Sequence, residues 1–400
     1  MKWYWRFLRS IRLARGLRKQ VWYHYNAQRD LLSPEAAEAL KKGLEEFDRR
    51  AREAKRPAEV VAAADELERI ADQHLLPYPF PGIRENIKEF LVSAVFIVAT
   101  FTFFLQPMKI PSGSAQPTLW GNVIEDFRDD PNWHPPSFFR RILDWFAGIR
   151  YYEWIAKDSG VFQIEKEKRY FIFIRCQTMH VGRDSYTLYW PPMNWYRKLK
   201  VHPGQYIRKG EPVFKLRIHS GDRLFVDKFT YHFRRPKRGE IIVFSSHDID
   251  RFLRVYRGMP ILVPNTHYIK RLIAFGGERV QIGDDRHVRI NGHRLDASTP
   301  HFKKIYSFDP NEPPRENHYS GHVNEKIAEK YGKYGLAPLF PDENTVFVVR
   351  RHYYLAFGDN TMNSFDGRAW GDFPREKVVG RAFFVFWPLT HRWGPIEWWE

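Results

Sequence analysis

From Phe90 to Met108 the chain carries no charged residue. That run constrains the fold more than any other feature, because a helix that crosses a bilayer needs about 17–25 predominantly apolar residues. It lies far from Met1, which sets it apart from a cleavable targeting sequence. The reading it supports is a membrane anchor over 83–107. A buried core helix of a soluble domain is the other reading of the same residues. Charge gives an orientation: Arg69, Arg84 and Lys88 precede the run, and Lys109 stands nearly alone just after it. The positive-inside rule then puts residues 1–82 in the cytoplasm and everything after the anchor on the outer face, in a single pass.

The residues before the anchor fit that placement. Lys2, Arg6, Arg9, Arg12, Arg15, Arg18, Lys19 and Arg29 precede the first acid, Asp30, and alternate with Trp3, Tyr4, Trp5, Phe7, Leu8, Ile11 and Leu13. This is a basic amphipathic stretch suited to anionic headgroups, or alternatively a disordered basic arm. Ser33-Pro34-Glu35 has the make-up of a helix start, with Ser at the N-cap and Pro at the first helical position. Charged, alanine-rich sequence follows to about Gln73, broken at Pro57, and predicts a pair of solvated helices. Pro77, Pro79 and Pro81 form a stiff linker.

After Met108 the pattern changes to short runs rich in β-branched and aromatic residues: Arg223–Phe229, Glu240–Ser245, Tyr268–Phe275, Arg279–Ile282, Val288–Ile290, Thr345–Val349, His352–Phe357 and Val378–Trp387. Asn291-Gly292 between two of them predicts a tight hairpin turn. The fold class is therefore mainly β, in antiparallel sheets. Two segments read as insertions, 121–218, rich in Trp, Tyr, Phe and Arg, and 297–344, with little hydrophobic periodicity. The end of the first has the cadence of a small β-barrel or hammerhead module.

Three blocks carry chemistry. Ile110-Pro-Ser-Gly-Ser-Ala-Gln-Pro-Thr-Leu119 follows the anchor directly. His267-Tyr-Ile-Lys-Arg-Leu-Ile-Ala-Phe-Gly-Gly277 places a lysine inside an apolar strand, where it either snorkels to water or loses its proton. Gly358-Asp-Asn-Thr-Met-Asn-Ser-Phe-Asp-Gly-Arg-Ala-Trp-Gly371 is dense in small polar residues between strands. Each alone is explicable as turn or loop chemistry. Together, and in this order, they resemble the boxes of the bacterial signal peptidase I family of Ser-Lys serine proteases.

The resemblance implies a membrane-bound endopeptidase that removes signal peptides from exported proteins. It puts the nucleophile at Ser114, the general base at Lys270 and an oxyanion-binding hydroxyl at Ser112. Ser364, Asp366 and Arg368 take the supporting positions, with Asp359 and Asn360 at the start of their box. Gly221-Asp222-Arg223, with Val226 and Lys228, resembles the box between. Ile110, Ala115, Leu119, Tyr268 and Ile269 are the expected lining of shallow pockets for small residues before the cut. The implied architecture is a signal-peptidase-like β catalytic domain, 108–120 with 219–400, carrying a large inserted β-rich subdomain. One transmembrane helix and a helical cytoplasmic region precede it.

The chemistry stands on its own terms. A serine hydroxyl needs a neighbouring base to become a nucleophile, and lysine serves only when neutral, so its pKa of about 10.4 must fall by roughly 2 units or more. Desolvation by Tyr268, Ile269 and Leu272 would supply the shift, and Ser364 would hydrogen-bond the amine and aim it. The Ser114 N–H and the Ser112 hydroxyl would receive the developing oxyanion, each such donor being worth about 2.7–4 kcal/mol. No metal or cofactor is called for. The single cysteine, Cys176, excludes an intrachain disulfide and a Cys-rich zinc site.

Three departures from the family stand out. Ala115 replaces the usual methionine after the nucleophile, segment 121–218 is far larger than in typical members, and Thr361-Met362 replaces Arg-Asp in the third box. Expected partners are signal peptides, membrane lipid and the secretion translocon, at the bacterial inner membrane. A net charge of +17 also suits nucleic acid, but no binding motif accompanies it. A LexA-like self-cleaving protease would lack the uncharged run. An inactive membrane-tethered scaffold would not need Ser114, Lys270, Ser364 and Asp366 together.

Overall fold

The computed structural model describes residues 9–77, 80–170, 174–191, 201–247 and 266–398. The chain divides into two compact units, Met1–Val95 and Phe96–Glu400.

Among the described residues the first unit holds α1 (Arg9–Gln28), α2 (Pro34–Glu53), α3 (Pro57–His74) and most of α4 (Pro81–Ala99). The Ser33 hydroxyl accepts the Ala36 N–H at 3.2 Å, and Pro34 and Pro57 each open a helix, where a missing N–H costs nothing. The expected pair, α2 and α3, is joined by α1 from the basic stretch in one core: Ile11 and Val21 of α1 are buried with Leu40, Phe47, Val60 and Leu67. The buried Gln28 ties the bundle, donating to Leu76 O at 2.8 Å and accepting from Leu76 N at 2.9 Å. Ile11, expected on a headgroup-facing stretch, is fully buried against the neighbouring helices, while Leu13 is exposed. Residues 1–8 of that stretch lie outside the described residues.

The apolar run sits in α4 and the π-turn Thr100–Phe104. Glu85–Phe104 is long and apolar enough to cross a membrane, with mean hydropathy 1.9 and none of it buried. The expected boundary at 107 is corrected to Phe104. Leu105–Lys109 form strand β1, because their backbone pairs with Arg223–Asp227 and Lys228 N–H closes onto Phe104 O at 2.9 Å. Hydropathy alone does not see that ladder.

After β1 the chain makes β2 (Val123–Asp126), helix α5 (Phe138–Phe146), β3 (Ile149–Ile155), β4 (Gly160–Ile164), β5 (Lys168–Tyr170), β6 (Ile174–Val181), β7 (Asp184–Tyr189), β8 (Tyr206–Ile207) and β9 (Pro212–His219). These form a three-stranded sheet, β2-β9-β3, and a five-stranded one containing β4 to β8. Trp154, Phe162, Met179, Phe214 and Leu216 give them a core of their own.

The chain then returns through β10 (Arg223–Asp227), β11 (Ile241–Ser245), β12 (His267–Phe275), β13 (Arg279–Ile282), β14 (Val288–Ile290), β15 (His293–Arg294), β16 (Phe347–Val348), β17 (Tyr353–Phe357), β18 (Phe373–Pro374), β19 (Val378–Trp387) and β20 (Gly394–Pro395). The principal sheet runs β1-β10-β19-β11-β12-β17-β18, all antiparallel, with β20 beside β19. Asn291 and Gly292 adopt φ of 50° and 83° and turn β14 into β15, which is the left-handed geometry that pair favours. The fold is mainly β. Its sheet brings the end of β1, the middle of β12 and the loop after β17 to one place.

Candidate active site

Strand β12 lies between β11 and β17, so its central side chains are walled on both flanks. Lys270, opposite Ile242 of β11, is only 3% exposed. A charged amine there would forfeit its hydration. Burial accordingly pushes its pKa down to about 8; Arg368 adds to the fall, while Asp366 and Asp359 oppose it. The loop after β1 begins where Ile110 N–H donates to Asp222 O at 2.9 Å, and it carries Ser114 over the lysine. Lys270 Nζ and Ser114 Oγ are 2.5 Å apart. Ser112 Oγ lies 3.4 Å from Ser114 Oγ.

The loop after β17 closes the other side. Gly358 packs so tightly that a Cβ there would strike Ser364 Oγ and the Ser114 carbonyl. Asp366 caps the turn Gly367–Trp370 and accepts the Gly358 N–H at 2.8 Å. Its carboxylate also takes Arg368 Nε and Nη2, both at 2.9 Å. Burial alone would raise the Asp366 pKa, but the Arg368 charge and these donors hold it below the usual carboxylate range. Ser364 Oγ is buried and makes no hydrogen bond. The expected bond from Ser364 to the lysine amine is therefore not formed, and an unpartnered buried hydroxyl lies beside Gly358, where the Ser114 carbonyl also packs. Such groups are rare and costly, by about 1–3 kcal/mol.

Several further residues hold the serine loop, and of these the sequence pointed only to Asp359 and Asn360. Arg271, 2% exposed, makes a bidentate pair with Asp359 at 2.8 and 2.7 Å and donates to Gly239 O and His301 O. Thr118 Oγ1 donates to Asp359 Oδ2 at 2.5 Å and lies 3.1 Å from Tyr319 OH. Asn360 reaches the loop twice, through Nδ2 to Gly113 O at 2.9 Å and its N–H to Ser114 O at 3.2 Å. Asn317 exchanges hydrogen bonds with the same Asn360 side chain at 3.0 and 2.8 Å. The readable signal was Arg271: an arginine in an apolar strand demands an acid, which the structure supplies as Asp359. Asn317 and Tyr319, in an aperiodic segment, gave none.

The departure at Thr361-Met362 has a structural reason. Thr361 Oγ1 accepts Val323 N–H at 2.9 Å and Arg368 Nη1 at 2.8 Å, and Met362 is buried against Val323 and Ala328. Both residues hold the segment 297–344, through Val323. Of the expected pocket residues, Ile110, Ala115, Leu119 and Ile269 meet in one apolar cluster with Leu224, Val226 and Val243. Tyr268 belongs to another, stacked 5.9 Å from Phe244. Among the described residues no group of His, Cys, Asp and Glu could hold a metal ion.

A buried, deprotonatable amine against a serine hydroxyl can perform acyl transfer. A family model described as "Signal peptidase, peptidase S26" matches residues 214–387, a span that includes Lys270 but not Ser114. The "Probable signal peptidase I-2" of Synechocystis is 30% identical over 181 residues, 45% of this chain and 59% of that protein. The signal peptidase I of Leptolyngbya laminosa is 31% identical over 173 residues, 43% of this chain and 64% of its own. The signal peptidase I T of Bacillus subtilis is 30% identical over 186 residues, 46% of this chain and 74% of its own. The chain thus spans less than two thirds of the first two relatives and about three quarters of the third.

Proposed function

Because this chain belongs to the signal peptidase family, peptidase S26, we propose that it is a membrane-bound serine endopeptidase that removes N-terminal signal peptides from exported proteins. One observation carries the reading: Lys270 Nζ, buried and lowered to about 8, lies 2.5 Å from Ser114 Oγ. Segments separated by more than 150 residues meet at the two atoms a Ser-Lys mechanism needs.

In this mechanism Ser114 Oγ attacks the scissile carbonyl carbon while neutral Lys270 takes its proton. The Ser112 hydroxyl and the Ser114 N–H receive the charge on the carbonyl oxygen. Lys270 returns the proton to the departing amine, leaving an acyl ester on Ser114. Water, deprotonated by the same amine, then hydrolyses the ester and frees the peptide. Asp366 with Arg368, and Asp359 with Arg271, fix the walls around the amine. The cluster of Ile110, Ala115, Leu119 and Ile269 would shape pockets for small side chains, with Tyr268 beside the substrate strand. Glu85–Phe104 would anchor the chain in a single pass, residues before it cytoplasmic and the β unit outside.

The test is cleavage of a preprotein by the full chain in detergent. Ser114→Ala and Lys270→Ala should each abolish cleavage while melting as the wild type does. Cleavage surviving in either folded variant rejects the dyad.

A further inference from the structure

Helix α5 presents an uncovered apolar face. Phe138, Phe139, Leu143 and Trp145 are 69, 79, 65 and 51% exposed, an arrangement that water disfavours and that marks an interaction surface. Beside them runs a groove of about 610 Å³ lined by Arg141, Ile142, Trp145, Phe146, Ile149 and Arg150. It shares Trp145 and Arg150 with a second hollow of about 180 Å³, which Ser220, Arg223, Phe386 and Trp387 complete.

The charges around these hollows are one-sided. Lys109 sits directly across the ladder from Arg223, and like charges in that position repel. Lost hydration, then the charges of Arg223, Arg150 and Arg175, lower the pKa of the Lys109 ammonium to about 8. Arg150 Nε is buried without a partner. Among the described residues no carboxylate pairs with Lys109, Arg141, Arg150 or Arg223; the nearby Asp144 is taken by Arg140 and Tyr151. Cations kept together without an acid call for an anion from outside the chain.

The surroundings say which kind. A row of rings leads from the π-turn that ends the apolar helix into the hollow: Phe101 lies 5.9 Å from Phe225, and Phe225 4.4 Å from Phe386. The next residue, Trp387, lies 4.6 Å from Trp145 of α5. Aromatic rings and arginines in such a row are the composition of a membrane interface. A nucleic acid or acidic peptide would satisfy the cations and leave Phe138, Phe139 and Leu143 in water.

We propose that the α5 groove and the adjoining hollow bind an anionic membrane phospholipid, its phosphate held by Lys109, Arg150 and Arg223 and an acyl chain laid along α5. The site is independent of peptide cleavage, and its test does not read activity. Full-length protein in lipid-free detergent micelles is titrated with pyrene-labelled phosphatidylglycerol or phosphatidylcholine, read by energy transfer from tryptophan. Saturable binding is expected, tighter for phosphatidylglycerol. Arg150→Gln with Arg223→Gln should weaken phosphatidylglycerol by about thirtyfold, the loss of two cations facing the phosphate, and weaken phosphatidylcholine, whose phosphate is offset by its own choline, much less. Phe138→Ser with Leu143→Ser should weaken both lipids. Thermal melting checks each variant's fold, and Phe138→Ser alone, at a largely exposed position, serves if a double variant does not fold. Wild-type affinity for phosphatidylglycerol in the arginine variant overturns the site. Displacement of the label by inorganic phosphate as readily as by unlabelled phosphatidylglycerol overturns the lipid assignment.

Discussion

Two long segments leave the same β framework, and they are built on opposite plans. The one from β2 to β9 has its own core, drawn from Ile124 to Ile218, and touches the framework through α5, where Trp145 meets Trp387. The one between β15 and β16 has almost no regular structure, a short helix Glu325–Lys330 apart. Its Phe302, Ile305, Tyr306 and Phe340 fill the same core as Ile273 of β12 and Phe357 of β17, and Asn317, Tyr319 and Val323 bond to the loops of the candidate site. A segment with a private core can be added without disturbing the sheet that carries it. A segment that borrows the sheet's core becomes part of whatever the sheet holds.

The sharpest way to break that contrast is to hollow each core. Phe302 and Phe162 are both fully buried, so replacing either with alanine should cost about 3–5 kcal/mol. Phe302→Ala should lower the melting temperature and preprotein cleavage together. Phe162→Ala should loosen its own sheets, seen as early proteolysis between β2 and β9, while cleavage per molecule persists. Loss of cleavage in a Phe162→Ala protein whose principal sheet stays folded would erase the distinction.

The pH profile sharpens it further. As the proposed base, Lys270 would work only when neutral, and burial lowers its pKa to about 8. Cleavage should therefore rise with pH up to that point, falling about tenfold for each unit below it. The charges acting on the amine are Asp366, Asp359 and Arg368, none of them in the segment between β1 and β10. Phe162→Ala should keep the midpoint. Asp366→Asn removes an anion that holds the pKa up, so the midpoint should move down. A midpoint that stays at 8 in Asp366→Asn assigns the profile to another group.

How much of this was legible depended on how local the cause was. The Ser33 cap, the Asn291-Gly292 turn and the strands Arg279–Ile282 and Val378–Trp387 come from neighbouring residues and read directly. The end of the apolar helix did not, because Leu105, Gln106 and Pro107 are as uncharged as what precedes them, and only pairing with β10 makes them a strand. Arg223–Phe229 ran two residues long for a similar reason: Asp227 accepts the N–H groups of Phe229 and Thr230 and turns the chain into a helical turn. Ser114 and Lys270 were singled out by the order of their blocks, and the fold brings them into contact. Asn317 and Tyr319 act through bonds to residues 43 and 201 positions away, and no local pattern encodes such a partner.

Asn317→Ala should be the next smaller effect. It removes the Oδ1 that accepts from the buried Asn360 Nδ2 and keeps the backbone N–H that donates to Asn360 Oδ1, a loss of about 1–3 kcal/mol, and Asn360 is what grips Gly113 O and Ser114 O. The turnover rate should fall about tenfold or more, with KM and the pH midpoint unchanged. A change in KM alone would place Asn317 in substrate binding instead.

Tyr319→Phe is the finest probe, since it deletes one oxygen. That oxygen lies 3.1 Å from Thr118 Oγ1, whose own bond to Asp359 ties the serine loop to Arg271. A single neutral hydrogen bond is worth about 0.5–1.5 kcal/mol, so turnover should fall about two- to tenfold at unchanged KM. If the oxygen acts through Thr118, Tyr319→Phe should add little in a Thr118→Val background, where the partner is already gone. Full additivity in that cycle would mean that Tyr319 supports its own segment only. The segment would then share the sheet's core without steering the serine loop.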